Sequence, residues 1–407
     1  MATVVLVGTL DTKGDEYGFA RDTLAAQGVT PLLVDTGVRT PAIAPDVTHD
    51  DVARAAGTSV EALVAADDRG AAMEAMGRGA AEVLRRLHAE GRCDGVLAMG
   101  GSGGTSVATT AMRALPVGVP KLMVSTMASG DTRPYVGAVD VTMMYSVVDI
   151  AGINQVSARI LANAAGAIAG MTRTEPPAGA VEERPLVGAS MFGVTTPAVD
   201  AARERLEELG YEVLVFHATG AGGQSMEALA RDGFLAGVLD LTTTELCDDL
   251  VGGVLSAGPD RLEAAGEIGL PQVVSLGALD MVNFGPRDTV PAQFEERNLY
   301  IHNPTVTLMR TTPEETAELG RRIARKLNAA TGPTALFVPL AGVSLIATEG
   351  QPFHDSAADT ALFEALREHL DTERVDVVER DTHINDPEFA REMADALDAR
   401  IRARSAG

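Results

Sequence analysis

The sequence predicts an α/β protein built from two Rossmann-like, doubly wound domains with mainly parallel sheets, facing each other across a cleft. Three observations lead to that fold. Short apolar runs alternate with amphipathic helical patterns along the 407 residues, the arrangement that βαβ units and parallel sheets impose on a sequence. The segment 172–184 joins a proline pair, glycine and charge with no apolar period, and so divides the chain. Segments on its two sides also echo each other. Gly28 to Gly37 resembles Gly210 to Gly220 with one residue added, and Asp94 to Gly100 resembles Ala236 to Thr242. The expected domains are therefore 1–171, a linker at 172–184, and 185–407.

In the first half the apolar runs predict strands at 3–8, 30–35, 94–99, 120–125 and 138–145. Helices are expected at 15–27, 105–114 and 149–171. Residues 68–90 carry Met73, Met76, Ala80, Val83, Leu84 and Leu87 at helical spacing. The second half restarts with a strand at 186–190. Thr196 and Pro197 then open a helix, since proline suits a first helical turn, and a strand at 212–216 follows. The tail, 387–404, reads as an amphipathic helix that packs back on the body.

Composition narrows the function. Apolar residues make up 46% of the chain, enough for sizeable cores. A formal charge of −24, no tryptophan and 4% aromatic residues argue against nucleic acid, which needs basic and stacking surfaces. Two cysteines, Cys93 and Cys247, support neither a disulfide framework nor a zinc cluster. The amino terminus reads as a buried strand rather than a signal peptide, and no apolar run approaches the roughly 18 residues of a membrane span. A cytoplasmic protein without membrane partners, and a homo-oligomer (dimer), is expected.

Ligands of open parallel sheets bind beyond the carboxyl ends of the strands, so those ends carry the candidates. After the first strand come Thr9, Asp11 and Lys13. Threonine hydroxyls can donate hydrogen bonds, lysine can neutralise a phosphate, and Asp11 can hold Mg²⁺ or its waters; a polar turn capping a helix is the plainer reading. The loop is not G-x-G-x-x-G, which counts against a standard dinucleotide dehydrogenase. After the strand at 94–99 stand Gly100, Gly101, Ser102, Gly103, Gly104, Thr105 and Ser106. Successive N–H groups at a helix start form an anion cradle, and four glycines exceed what a tight turn with positive φ requires. Gly100-x-Ser102-x-Gly104 also matches the nucleophile elbow of serine hydrolases, for which His217, His302 and His383 are formally available. A third loop adds Ser129, Gly130 and Asp131.

The strand ends of the second half are richer in titratable groups. Glu245, His302 and Arg310 are the candidates for acid/base work or for holding a substrate carboxylate. Helix capping and packing are the ordinary roles of such residues. No histidine spacing matches a metal motif.

The segments Gly8 to Gly14, Gly100 to Thr105 and Ser125 to Asp131, with Thr242 to Glu245, His302 to Pro304 and Gly342 to Ser344, resemble the hallmark segments of the tomato mosaic virus resistance protein-like ATP-binding family. The resemblance covers nearly the whole chain. It implies two Rossmann-like domains, with ATP and Mg²⁺ held mainly by the first. Thr9, Asp11 and Lys13 would then sit near the phosphates, Gly101 to Thr105 would cradle them, and Ser129 to Asp131 would lie beside them. The expected function is that of an ATP-dependent enzyme of small-molecule metabolism, with its substrate in the interdomain cleft. A non-catalytic nucleotide-binding module acting through a protein partner and a serine hydrolase using Ser102 are the alternatives.

Overall fold

In the computed structural model the described residues are 1–175, 177, 179 and 183–406. The expected linker, 172–184, lies partly outside them. The chain divides into two compact units, Met1–Ala180 and Val181–Gly407.

The first unit is a five-stranded sheet of β1 (Thr3–Gly8), β2 (Thr30–Asp35), β3 (Gly95–Gly100), β4 (Lys121–Ser125) and β5 (Thr142–Tyr145). Its order is β2-β1-β3-β4-β5, with every pair parallel. β3 is buried at all six positions, because helices cover both faces of a doubly wound sheet and leave no polar side to its central strands. Alternate residues feed two cores. Val5, Val7, Val96 and Ala98 pack with Met76, Leu84, Ala108 and Met112 from helices Arg69–Ala89 and Ser102–Met112. Val4, Leu6, Leu97 and Val124 pack with Tyr17, Leu24, Leu161 and Ile168 from helices Gly14–Ala26 and Gln155–Met171.

The second unit repeats the plan. β6 (Leu186–Met191), β7 (Glu212–His217), β8 (Leu235–Thr242) and β9 (Gln272–Gly277) come first. Next in the chain are β10 (Met281–Phe284), β11 (Leu299–Asn303) and β12 (Val306–Arg310), and then β13 (Thr334–Pro339) and β14 (Val375–Arg380). The parallel sheet runs β14-β13-β9-β8-β6-β7. Its first five strands in sheet sequence therefore stand in the order 2-1-3-4-5, as in the first unit. The echoing segments occupy equivalent places, since β2 and β7 are second strands and β3 and β8 third strands. The tail helix Pro387–Ala406 buries Phe389, Ala390, Met393, Ala394 and Leu397 against β6, β8 and β13.

Two features depart from the sequence reading. An antiparallel sheet, β10-β12-β11, is inserted between β9 and β13. The helix after β3 starts at Ser102, three residues earlier than expected. Glycine is a poor helix former, so the glycine run reads as a loop. Yet Gly103 and Gly104 lie in the first helical turn, and no glycine from 100 to 104 has positive φ. Gly100 is required by a close approach: a Cβ there would stand 3.1 Å from Gly104 Cα. Among the described residues no helix is long and apolar enough to cross a membrane.

Candidate functional site

In a 2-1-3-4-5 sheet the connections leave the first and third strands in opposite directions, and the crevice beyond their carboxyl ends is the ordinary ligand site. In the first unit that point lies between β1 and β3. The loops carrying Thr9, Asp11 and Lys13, Gly101 to Gly104, and Ser129 to Asp131 follow the neighbouring strands β1, β3 and β4, so they share one sheet edge.

Helix Ser102–Met112 opens the site. Gly101 is its N-cap in extended conformation and supplies no side-chain cap. The first intrahelical bond there is Thr105 N to Gly101 O, so the N–H groups of Ser102, Gly103 and Gly104 have no partner within the helix. Helix Gly14–Ala26, after β1, likewise has no side-chain cap at Lys13. Two helix N-termini without side-chain caps thus flank the fork. Arg69, at the start of helix Arg69–Ala89, adds a cation: its guanidinium lies 3.5 Å from where a Cβ of Gly103 would stand. The Arg69 guanidinium makes no hydrogen bond or ion pair to another described residue.

The remaining predicted residues divide. Asp11 turns its carboxyl toward Gly37, and its buried Oδ1 has no hydrogen-bond partner among the described residues. The Lys13 ammonium donates to the Ile150 carbonyl. Thr9 joins Thr12 hydroxyl to hydroxyl at 2.9 Å, and its carbonyl accepts from the N–H groups of Thr12 and Lys13. Ser129 and Gly130 are exposed. Asp131 is exposed too, and its hydrogen bonds with Arg133 hold its carboxyl down to about 2. Thr105 is a correction. Its side chain is buried, donates to Gly101 O at 2.8 Å and meets Ser125 Oγ at 2.6 Å, so it ties the helix to β4 and is closed to a ligand. Ser102 is no nucleophile elbow either. It begins a helix without positive φ, whereas the elbow needs a strained strand-to-helix turn.

Sequence reasoning missed three contributors. Tyr17 fills the fork: its hydroxyl lies 2.5 Å from Val7 O and 3.1 Å from Met99 O and accepts from Met99 N at 3.0 Å. It occupies the space a Cβ of Gly8 would need, and burial pushes its phenol well up. Arg69 is the second. The third is a pair beyond β2, where Asp35 Oδ2 stands 3.2 Å from His49 Nδ1. The only signal for that pair was an acidic residue closing a strand.

The second unit corrects two further candidates. Glu245 is fully buried. One oxygen accepts from Gly220 N and Gly223 N at 2.7 and 3.1 Å, and the other accepts from Arg261 Nε at 2.6 Å. It thereby caps helix Ala221–Arg231 from within. The same guanidinium grips Asp240 and lies 3.4 Å from Glu227. Desolvation raises the Glu245 carboxyl, but both its oxygens are buried and bonded. Arg310 is also buried, bonded to Phe353 O, Thr311 Oγ1 and Asp359 Oδ1. His302 is exposed on β11. Burial lifts Asp248 to about 7 and Asp280 to about 6, yet Asp248 is bound to Asn283 and Asp280 to Ser344. A cleft of about 530 Å³ lies between helix Pro313–Asn328 and the segment 259–267. Its Gly266 and Ala330 sides lead to the amino ends of β9 and β13, away from the edge where such sheets bind ligands.

A doubly wound protein is thus defined, with an uncapped helix N-terminus after the third strand of its first unit and, in its second, a helix N-terminus capped from within by Glu245. Models of the N- and C-terminal domains of the family described as "Uncharacterised protein family (UPF0261)" match residues 2–177 and 184–401, and the chain belongs to that family. It is 55% identical over 395 residues to a UPF0261 protein of Clostridium tetani, covering 97% of this chain and 98% of that one. It is 41% identical to the tomato ToMV resistance protein Tm-1(GCR237), covering 97% of this chain and 55% of the tomato protein. Among solved structures, a putative UDP-N-acetylglucosamine 2-epimerase from Listeria monocytogenes aligns over 97% of this chain and 91% of its own at 12% identity, with a TM-score of 0.25.

Proposed function

We propose that the first unit binds ATP with Mg²⁺ and that the protein is an ATP-dependent enzyme of small-molecule metabolism. The observation that carries this reading is the uncapped N-terminus of helix Ser102–Met112 with the unpaired Arg69 guanidinium beside it. Backbone N–H groups, the helix dipole and a nearby cation are the elements that recognise a phosphate chain. Asp11 fits the metal: its carboxylate keeps a buried oxygen without a partner. No group of three or more His, Cys, Asp or Glu side chains is arranged to hold an ion among the described residues. Mg²⁺ is commonly held by one or two carboxylates together with substrate phosphates and water.

Calorimetry with MgATP tests the reading. Binding is expected for the wild type, with at least tenfold weaker affinity for Arg69→Ala and for Asp11→Asn in the presence of Mg²⁺. Equal affinity in all three proteins would remove the nucleotide from this fork.

A further inference from the structure

Asp35 closes β2, opposite Gly8 of β1. Its side chain is fully buried. Oδ1 is occupied by the N–H groups of Leu10 and Gly37, at 3.1 and 2.9 Å. An acid at the end of a second strand often holds a nucleotide ribose, but the burial of this one closes that role. Oδ2 faces His49 Nδ1 at 3.2 Å, within ion-pair reach but off hydrogen-bond alignment, and neither atom has another partner among the described residues. His49 is carried to this point by the backbone. Val47 pairs with Val34, Asp35 N donates to Val47 O, and His49 then opens the helix His49–Ala55. Its ring is 18% exposed, with Nε2 3.9 Å from the half-exposed Asp50. A buried carboxylate behind Nδ1 and an outward Nε2 is the arrangement of a general base whose ring is held by an acid. Such contacts are often loose before substrate binds. β2 and β3 flank β1, so the couple lies about 10 Å, two strand spacings, from the start of the phosphate-facing helix.

We propose that His49 is the catalytic base of the first unit, with Asp35 its positioning residue, and that the acceptor substrate carries an alcohol hydroxyl. This rests on the ATP reading above. The hydroxyl oxygen attacks the γ-phosphorus and forms the new P–O bond, while its proton passes to His49 Nε2. The bond from the γ-phosphorus to the bridging oxygen breaks, and its electron pair leaves with ADP. An ionised carboxylate acceptor has no proton to surrender and would have no use for this base, which selects hydroxyl acceptors such as sugars, polyols or hydroxy acids.

The test uses the full chain, with water standing in for the acceptor. Long-range ¹H–¹⁵N spectra of ¹⁵N-histidine-labelled protein, assigned with His49→Gln, are expected to show His49 protonated at Nδ1. That signature should disappear in Asp35→Asn. ADP formation from MgATP should fall about 100-fold in His49→Gln, the scale of a lost general base, with ATP affinity by calorimetry unchanged within twofold. ATP bound normally but ADP formed equally by wild type and His49→Gln, or by neither, overturns the couple and leaves the nucleotide reading standing. A His49 signal protonated at Nε2 in the wild type overturns it independently of turnover. Absence of ATP binding by the wild type removes the nucleotide reading and the proposal with it.

Discussion

Replacing Gly101 by aspartate would give the first unit the plug that Glu245 supplies to a helix of the second. Gly101 is the N-cap of helix Ser102–Met112, at φ −79° and ψ −160°, a conformation that aspartate adopts freely. A Cβ there would meet nothing closer than Thr126 Oγ1 at 3.8 Å, so the side chain enters without displacement. In the apo protein the change should be favourable. Aspartate caps better than glycine by a few tenths of a kcal/mol, and its charge at the helix start adds about 0.3–1 kcal/mol. In a unit of this size that raises Tm by about 1–5 °C. For the ligand the sign reverses. A carboxylate about 4 Å from one phosphate charge costs about 4 kcal/mol at an effective dielectric of ~20, a loss of ATP affinity of roughly 10²–10³-fold. Thermal melts with and without MgATP, alongside calorimetry, measure both effects. An apo Tm that rises while ATP binds as before would show that no phosphate meets this helix, and the argument from the uncapped terminus would fail.

Other perturbations separate structure from binding. Tyr17→Phe leaves the buried Met99 N–H without its acceptor and should cost about 1–3 kcal/mol in urea denaturation; an unchanged midpoint would contradict the role of the hydroxyl at the fork. Arg261→Met strands Asp240, Glu245 and Glu227 and should cost about 3–5 kcal/mol. Because Glu245 is already raised by burial, and loses its cation in the variant, its contribution is present below the ordinary carboxylate range and lost as pH rises through the folded value. The variant should therefore lose more stability than the wild type between pH 5 and pH 8, and equal losses in urea melts at the two values would refute this. Lys13→Ala should weaken ATP binding by about 1.5–3 kcal/mol, the scale of a charged hydrogen bond. Unchanged calorimetric affinity in a folded variant would leave Lys13 only its bond to Ile150.

The legible part of the fold was the part written locally. β1, β3 and β4 are buried on both faces, so their apolar runs stand out without reference to anything distant. Loops that follow such strands can be read as candidates because chain direction alone puts them on one edge. What could not be read depended on partners far along the chain. Glu245 and Arg310 look available in sequence, and only folding brings Arg261 to the one and Asp359, 49 residues away, to the other. Thr105 likewise looks like a donor until Ser125 occupies it. Arg69, Tyr17 and His49 drew no attention because none stands in the loop it serves. The antiparallel insertion was hidden by strands of only four or five residues separated by Pro286, Pro291 and Pro304.

The close seat of helix Ser102–Met112 on β3 has an evolutionary consequence. With no side chain at Gly100 the helix lies against its strand, so the position of the N–H groups at its start is set by core packing. Mutation cannot retune that anchor without disturbing the hydrophobic interior, and the anchor should drift slowly. Residues 39–44 and 129–131 border the same edge and reach solvent at several positions, including Arg39, Ser129 and Asp131. Change there is cheap for the core. Relatives that adopt new substrates should therefore differ first in these two segments, around an unchanged helix start.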